Sequence, residues 1–390
     1  MSSAPAPARW RVLLGFVLAA LVTQLLWLNF APILVDVERV YGVDETTASL
    51  LILPFPLLYV LLSIPSGRLI DRLGYRKVVG AGATVSALGA LVRLDTDHFW
   101  SLVAGQVVVA VAQPFVVNAI SKLVADWFAG EEVAVATGLG TVGMFLGMAL
   151  GLATTPALME LWGLRGAMIA NAAVAWAVVG AWYVLGVERG VAGKDVLTPM
   201  RSLLGNRRLR IFGGLALLGL GYFNGLTTWL EQLLAPRGMN AQQAGNIGGI
   251  VVLGGIVGAV VVPLIADHLR VRRVPLLLCV AAAGAANFWL FEADTYRTML
   301  AAGATLGFFF MPAFALLLAM TGEVVAPEDN GAATGLVMLA GNAGGVALIV
   351  AMPLAGEWAG SGPWSVLIAC TAATLLLALA APETFRASPT

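Results

Sequence analysis

The 390-residue chain has little charge, since Asp, Glu, Lys and Arg make up 11% of it while 59% of its residues are apolar. This excess of apolar residues excludes a soluble globular domain, and the 22 basic and 22 acidic residues give no reason to expect nucleic acid as a partner. Cys279 and Cys370 lie inside hydrophobic runs, so we expect packing residues rather than a disulfide or a metal pair. A membrane-embedded enzyme would need clustered His, Asp or Cys, but only His98 and His268 exist. We therefore expect no catalytic residue, metal or cofactor.

Hydrophobic runs of about 20 residues, the length that crosses a bilayer, recur along the whole chain. They predict twelve transmembrane helices, at 12–37, 47–66, 78–95, 99–124, 133–157, 165–187, 211–234, 245–266, 274–292, 298–321, 332–356 and 363–381. The even-numbered connections and the termini hold seventeen of the 22 cations. The opposite side holds Arg39, Arg93, Arg165, Arg237 and Arg297. This asymmetry predicts a multi-pass protein of the inner (plasma) membrane with both termini in the cytoplasm.

The chain also repeats itself. The longest connection, 188–210, is predicted to be a cytoplasmic linker between an N-terminal six-helix bundle, 1–187, and a C-terminal one, 211–390. The sequence AVATGL at 134–139 recurs as GAATGL at 331–336, 197 positions later. At the same offset three acids match: Asp126 with Glu323, Glu131 with Glu328, and Glu132 with Asp329.

A short charge-rich turn lies between the second and third runs, with the sequence GRLIDRLGYRK at 67–77. Gly67 and Gly74 permit a tight reversal, and Asp71 can face the positive N-terminal end of another helix. Arg72 and Arg76 can pair with nearby acids. The turn resembles the signature loop between helices 2 and 3 of major facilitator transporters. This resemblance implies an all-α membrane fold of two pseudo-symmetric six-helix bundles that transports by alternating access.

We predict a cytoplasmic gate at this turn, built from Gly67, Asp71, Arg72, Gly74, Arg76 and Asp126. Asp126, Glu131 and Glu132 are expected close to Arg72 and Arg76. Asp71 is expected against the start of the eleventh helix, near Glu328 and Asp329. For each single charge, a solvated loop residue of little energetic value is the alternative.

In the resembling architecture, helices 1, 4, 7 and 10 surround a central path, and binding sites lie near the bilayer midplane. Counting half a span from each helix end gives the candidate substrate residues Gln24, Trp27, Gln113, Phe145, Tyr222, Asn224, Phe310 and Asn342. Amides at that depth need partners, because an unsatisfied amide in hydrocarbon costs several kcal/mol. The alternative is that the amides only join neighbouring helices and that Trp27 only packs.

No Asp, Glu, Lys, Arg or His falls at mid-depth in any predicted span, and Glu231, near the outer face, comes nearest. Intramembrane ionisable groups are the usual proton relays. A facilitative carrier of a small organic solute is therefore favoured. The alternative is a proton-coupled multidrug or lipid exporter that uses Glu231.

A finer resemblance rests on Gly105-Gln106, 111–113, Ser121-Lys122 and Trp127-Phe128 in the fourth span, and on 88–93 and 306–309. These segments resemble the feline leukaemia virus subgroup C receptor family of choline, ethanolamine and haem carriers. Trp27 matches the tryptophan that packs against a quaternary ammonium in that family. The resemblance implies an organic cation or zwitterion as substrate and a monomer in the bilayer.

The match departs from that family at two amide positions and one tyrosine. The family's helix 5 glutamine is replaced near Met144 and Phe145, and its helix 11 glutamine becomes Asn342. Its helix 7 tyrosine falls near Asn224, where Tyr222 is a possible substitute. These departures predict a bulkier or more apolar substrate than choline.

Overall fold

The computed structural model describes residues 6–128, 132–189, 203–325, 330–356 and 362–385, and these form helices joined by short connections. The chain divides into two compact units, residues 1–196 and 197–390. The first unit contains α1 (Ala6–Leu28), α2 (Pro54–Leu73), α3 (Tyr75–Val92), α4 (Phe99–Val117, continued by Ile120–Trp127) and the run Glu132–Leu185. That run comprises α5 and α6, which meet at a break at Gly163.

The second unit contains α7 (Arg207–Leu234), α8 (Ala241–Leu269), α9 (Arg273–Glu292), α10 (Tyr296–Glu323), α11 (Asn330–Ala351) and α12 (Gly362–Leu379). The helix α7 begins at Arg207, inside the predicted linker 188–210, because Asn206 caps it by accepting a hydrogen bond from the N–H of Arg208. Most of the remaining linker lies outside the described residues.

Within the described part of the chain, nine helices are long and apolar enough to cross a membrane, or ten if one bent pair counts as a span. The run Glu132–Leu185 counts once although it contains two of the predicted spans. The helix α3 is short and begins with Arg76 and Lys77, which lower its mean hydropathy. Each of the twelve predicted runs thus overlaps one of α1–α12, and the fold is an all-α polytopic membrane fold.

The first two membrane helices are both broken on the side opposite the N-terminus. The helix α1 ends at Leu28, and Pro32, which lacks an N–H, follows in a 3₁₀ turn before the short helix Leu34–Tyr41. The chain returns through a helical segment Glu45–Leu51, which meets α2 at Pro54 with a bend of 44°. The predicted first span, 12–37, runs through the first break because the residues around it stay apolar.

Glycines on α5 bring its backbone against that of α1. A Cβ added to Gly147 would lie 2.0 Å from the carbonyl oxygen of Leu21, and one added to Gly151 would lie 2.7 Å from that of Leu25. The second unit packs α11 on α7 in the same way, since a Cβ on Gly344 would lie 1.9 Å from the carbonyl oxygen of Leu217. Small residues at such contacts are typical of helices that associate within a bilayer.

Candidate functional site

The first unit buries an aromatic pair near the break in α1. Trp27 stacks on Phe55 of α2 with ring centroids 5.8 Å apart and ring planes 22° apart. Trp27 is 6% exposed and Phe55 is fully buried. The indole N–H of Trp27 and Oε1 of Gln24 are buried without a hydrogen-bond partner among the described residues. These polar atoms are therefore available to a ligand, and Phe55 covers one face of the indole.

Gln113 of α4 and Phe145 of α5 complete the predicted set in this unit. Gln113 is 3% exposed, and Phe145 is half-buried. The structure brings α1 and α5 into close contact along the glycines described above. Sequence depth alone did not identify Phe55, since its partner Trp27 lies on another helix.

The predicted residues of the second unit fall into two groups. Tyr222 lies inside the bundle, where its hydroxyl donates to Oδ1 of Asn287 on α9 at 2.8 Å. Its ring lies 5.5 Å from that of Phe310, which also stacks on Phe223 at 5.8 Å. A cavity with a volume of about 50 Å³, lined almost entirely by apolar groups, adjoins Tyr222 and Phe310.

Asn224 projects elsewhere, toward α11. A Cβ on Gly345 would lie 2.7 Å from Nδ2 of Asn224, whose Oδ1 is buried without a described partner. Asn342, also on α11, is 8% exposed, and its Nδ2 donates to the carbonyl of Met338. Tyr222 and Asn224 are two positions apart and so point in different directions from α7. The expectation that Tyr222 could replace the family tyrosine beside Asn224 is therefore wrong.

Arg93, which the sequence places at the outer end of the third predicted span, is a buried residue. It follows α3 and is fully buried, and its Nη1 donates to Oε1 of Gln106 at 2.9 Å. Its guanidinium also lies 5.7 Å from the ring of Phe30. A buried cation is costly unless it is compensated, and these contacts offset part of that cost. The resemblance of segment 88–93 to a known family was the one signal that could have drawn attention to it.

Glu231 is also buried, at 3% exposure, in the last turns of α7. Arg93 and Glu231 are thus both buried, although the sequence places each of them toward a membrane face. Both lie near helix ends in sequence, yet packing from neighbouring helices covers them.

At the charge-rich turn, Gly74 is the residue that reverses the chain. It has a φ of +85°, and a Cβ there would lie 2.6 Å from the carboxyl carbon of Glu188. Gly67 instead lies inside α2, where an added Cβ would meet nothing within 4 Å, so its predicted role in the reversal is wrong. Asp71 is half-buried, while Arg72 and Arg76 are exposed.

The acid that binds this turn is Glu188, which follows α6. Its Oε2 accepts a hydrogen bond from the backbone N–H of Arg76 at 2.9 Å. The hydroxyl of Tyr75 donates to the carbonyl of Val187 at 2.6 Å and accepts from the N–H of Arg189 at 3.0 Å. These contacts fasten the chain after α6 to the start of α3.

The other predicted gate acids that the structure describes form ion pairs with nearby cations. Glu132 was expected beside Arg72 and Arg76, but both its oxygens accept hydrogen bonds from the guanidinium of Arg9, at 2.7 and 2.8 Å. Lys122 lies 3.4 Å from Asp126, one helical turn away. Glu131, Glu328 and Asp329 lie outside the described residues.

The second unit repeats the arrangement at the start of α9. Glu383, which follows α12, accepts hydrogen bonds from the N–H groups of Arg272 and Arg273 at 2.9–3.1 Å. Burial raises the pKa of Glu383, but hydrogen bonds from the N–H groups of residues 272, 273, 384 and 385 outweigh it, so the net pKa is lowered. The side chain of Arg272 also binds Glu323, the last residue of α10.

No cluster of three or more His, Cys, Asp or Glu that could hold a metal occurs among the described residues. Cys279 and Cys370 are both free and buried.

The sequence profile of the Major Facilitator Superfamily matches residues 13–348 and 237–389. The chain is 24% identical over 405 residues to the choline/ethanolamine transporter FLVCR2 of Homo sapiens. The aligned region covers 96% of this chain and 76% of that relative.

Two solved structures share the fold. One is the nucleoside transporter NupG, with a TM-score of 0.75, 14% identity, and coverage of 95% of this chain and 99% of that one. The other is a bacterial homologue of the human lysosomal transporter Spinster in an inward-facing, unoccupied conformation, with a TM-score of 0.73 and 14% identity. That match covers 97% of this chain and 96% of the other.

Proposed function

The chain belongs to the Major Facilitator Superfamily, and on that premise we propose that it is a facilitative, alternating-access carrier of a small organic cation or zwitterion. That it is a multi-pass membrane transporter rather than an enzyme follows from the family and its apolar helices. The substrate class and the mode of transport are what we add.

The observation that carries the substrate class is the buried pair of Trp27 and Phe55, beside which Gln24 keeps an unpartnered oxygen. An indole face attracts an ammonium group through the ring quadrupole, by about 0.5–1 kcal/mol when exposed and about 2 or more when desolvated. An amide oxygen without a partner can accept from a substrate hydroxyl or N–H group. A small molecule with an ammonium and a hydroxyl group satisfies both features.

Within the first unit we propose Gln113 and Phe145 as further contacts. Within the second unit, taken by itself, Asn224 and Asn342 form one candidate group and Phe310 belongs to the other. Asn224 offers a second unpartnered amide oxygen. Tyr222 is left out because its hydroxyl is bonded to Asn287, and we assign it the task of supporting the ring of Phe310. The similarity to a choline/ethanolamine transporter supports the same substrate class.

We further propose that the turn at 67–77 is a cytoplasmic gate element and that both termini are cytoplasmic, in the plasma membrane. The positive-inside asymmetry of the sequence supports this orientation. The backbone contacts of Gly74 and Arg76 with Glu188 support a turn of fixed shape, on which Asp71, Arg72 and Asp126 can act.

Binding to the purified protein tests the substrate class. Choline, ethanolamine and betaine are compared by thermal shift, since a ligand that binds the native state stabilises it by mass action. Trp27→Ala is expected to weaken binding of the stabilising ligand by about 1–2 kcal/mol, which is roughly 5–30-fold in Kd. Trp27→Phe is expected to lose less because a smaller π face remains.

Trp100→Ala is the matched control, since that tryptophan is 65% exposed and lies at the start of α4. A Trp27→Ala protein of lower Tm but unchanged Kd would show that Trp27 only packs α1 against its neighbours. The site assignment would then be lost.

Counterflow of radiolabelled choline in proteoliposomes, without any ion gradient, tests the facilitative mode. The competing mode is proton coupling, which the burial of Glu231 favours. A proton-coupled carrier would need a pH gradient for uphill uptake, and Glu231→Gln would abolish that uptake while leaving counterflow intact.

A further inference from the structure

Arg93 reaches from the end of α3 to the end of α1. Its Nη1 lies 3.4 Å from the carbonyl oxygen of Leu26 and 3.5 Å from Oδ1 of Asn29. The backbone hydrogen bond of Asn29 runs to Leu25, one carbonyl before Leu26, so Arg93 meets α1 where its internal bonding stops. Carbonyls at a helix C-terminus carry partial negative charge, which favours a cation there.

Gln106 of α4 extends this contact to the second broken helix. Its Oε1 accepts from Arg93 at 2.9 Å, and its Nε2 donates to the carbonyl of Leu51 at 2.7 Å. Leu51 ends the segment before the bend, and Pro54 has no N–H to offer that last turn. The oxygen of the Gln106 amide thus bonds to Arg93 near the break in α1, and its nitrogen bonds to Leu51 near the bend before α2.

This contact network is closed to solvent. Arg93, Gln106, Asn29, Leu26 and Leu51 are all fully buried. No described carboxylate forms an ion pair with Arg93, whose charge instead faces a helix-end carbonyl, two amide oxygens and the ring of Phe30. Only Nη1 of the guanidinium has hydrogen-bond partners among the described residues, while Nε and Nη2 are buried without one. The directional contacts of Arg93 therefore all run through Nη1, toward α1 and Gln106.

The two carbonyls that the network holds lie next to the aromatic pair. Leu26 directly precedes Trp27, and Leu51 lies four positions before Phe55, on the other side of the bend. We propose that Arg93 and Gln106 are positioning residues that set Trp27 against Phe55 by fixing the broken ends of α1 and α2. This inference rests on the proposed function, because Trp27 and Phe55 form the substrate site only in that proposal.

A measurement without ligand tests the positioning step. Spin labels are attached at Val40, beyond the break in α1, and at Trp100 on α4, both more than 60% exposed, with Cys279 and Cys370 replaced by alanine. Arg93→Met and Gln106→Met are expected to broaden the distance distribution between the labels. Arg93→Lys, which keeps the charge but lacks the fork of donors, is expected to broaden it less.

Asn171→Leu is the matched control, because Asn171 is an equally buried amide in α6 and its Nδ2 has no described partner. It is expected to leave the distribution unchanged even if it alters Tm. A narrow, wild-type distribution in both Arg93→Met and Gln106→Met, with only Tm lowered, would overturn the inference.

Choline affinity supplies the second readout, in a double-mutant cycle with Trp27. Arg93→Met is expected to weaken choline binding about fivefold in the wild-type background and less than twofold in Trp27→Ala. Equal losses in both backgrounds would contradict an action through Trp27.

The two proposals fail in different ways. If Trp27→Ala leaves choline affinity unchanged, or choline does not bind, the proposed substrate site is lost. The spin-label distances still decide whether Arg93 and Gln106 fix the broken ends.

Discussion

Substituting Gly147 tests how strongly the position of α1, and with it Gln24 and Trp27, depends on its contact with α5. The Cβ of Gly147→Ala would lie 2.0 Å from the carbonyl oxygen of Leu21 and 2.9 Å from its Cα. Both neighbouring atoms belong to the backbone, so no side-chain rotation can relieve the overlap. An ordinary contact begins at 3.4 Å, which requires the helices to separate by about 1.4 Å.

The cost follows from that separation. Overpacking a well-packed contact costs about 1–3 kcal/mol, and a gap of this size removes much of the dispersion attraction along the helix pair. For a unit of this length, about 2 kcal/mol corresponds to a fall in Tm of roughly 4–8 °C. Because Trp27 lies on the displaced helix, we expect affinity for choline, the probe of the proposed site, to fall as well.

Thermal unfolding and choline titration of the purified variant measure both effects. Gly138→Ala is the matched control, since the same methyl group on the same helix meets nothing within 4 Å. A Gly147→Ala protein with the Tm and Kd of the wild type would refute the close backbone contact between α1 and α5.

Two further results are expected at the charged ends of the helices. Asp71→Asn should slow transport and leave choline affinity unchanged in a binding assay, whereas Asp97→Asn, on an exposed connection, should alter neither. A Glu383 of lowered pKa stabilises the fold above its ordinary value of 4.5, and this contribution is lost as the pH falls below that value. Tm measured from pH 6 to pH 3 should therefore fall less in Glu383→Gln, and identical slopes would contradict the role given to its backbone hydrogen bonds.

The fold was largely predictable, because twelve long apolar runs leave few alternatives for a chain in a bilayer. The helix ends were harder to predict. The first run continues to residue 37 in composition, while the helix ends at Leu28 before Pro32. Apolar residues indicate which segments contact lipid or the protein interior, but they do not distinguish a straight helix from a broken one.

The burial of the candidate site residues was predictable from the sequence, whereas the direction in which each side chain points was not. Depth along each run selected Trp27 and Gln24 correctly as buried residues, yet it grouped Tyr222 with Asn224, which point to different helices. The burial of Arg93 was not predicted, because Arg93 follows the last turn of α3 and is covered by residues of other helices. The sequence of one helix does not show which other helices pack on it. Contacts between distant helices decide such positions.

Glu188 and Glu383 each join the C-terminal end of one half of the chain to a helix start within the same half. In each unit, a carboxylate that follows the last helix accepts hydrogen bonds from the backbone at the start of the third helix of that unit. Glu188 accepts from the N–H of Arg76, and Glu383 accepts from the N–H groups of Arg272 and Arg273. The hydrogen bonds of Glu188 lie within residues 1–196, and those of Glu383 lie within residues 197–390. If the two halves are synthesised as separate polypeptides, each half therefore keeps the hydrogen bonds of its own terminal carboxylate, Glu188 or Glu383.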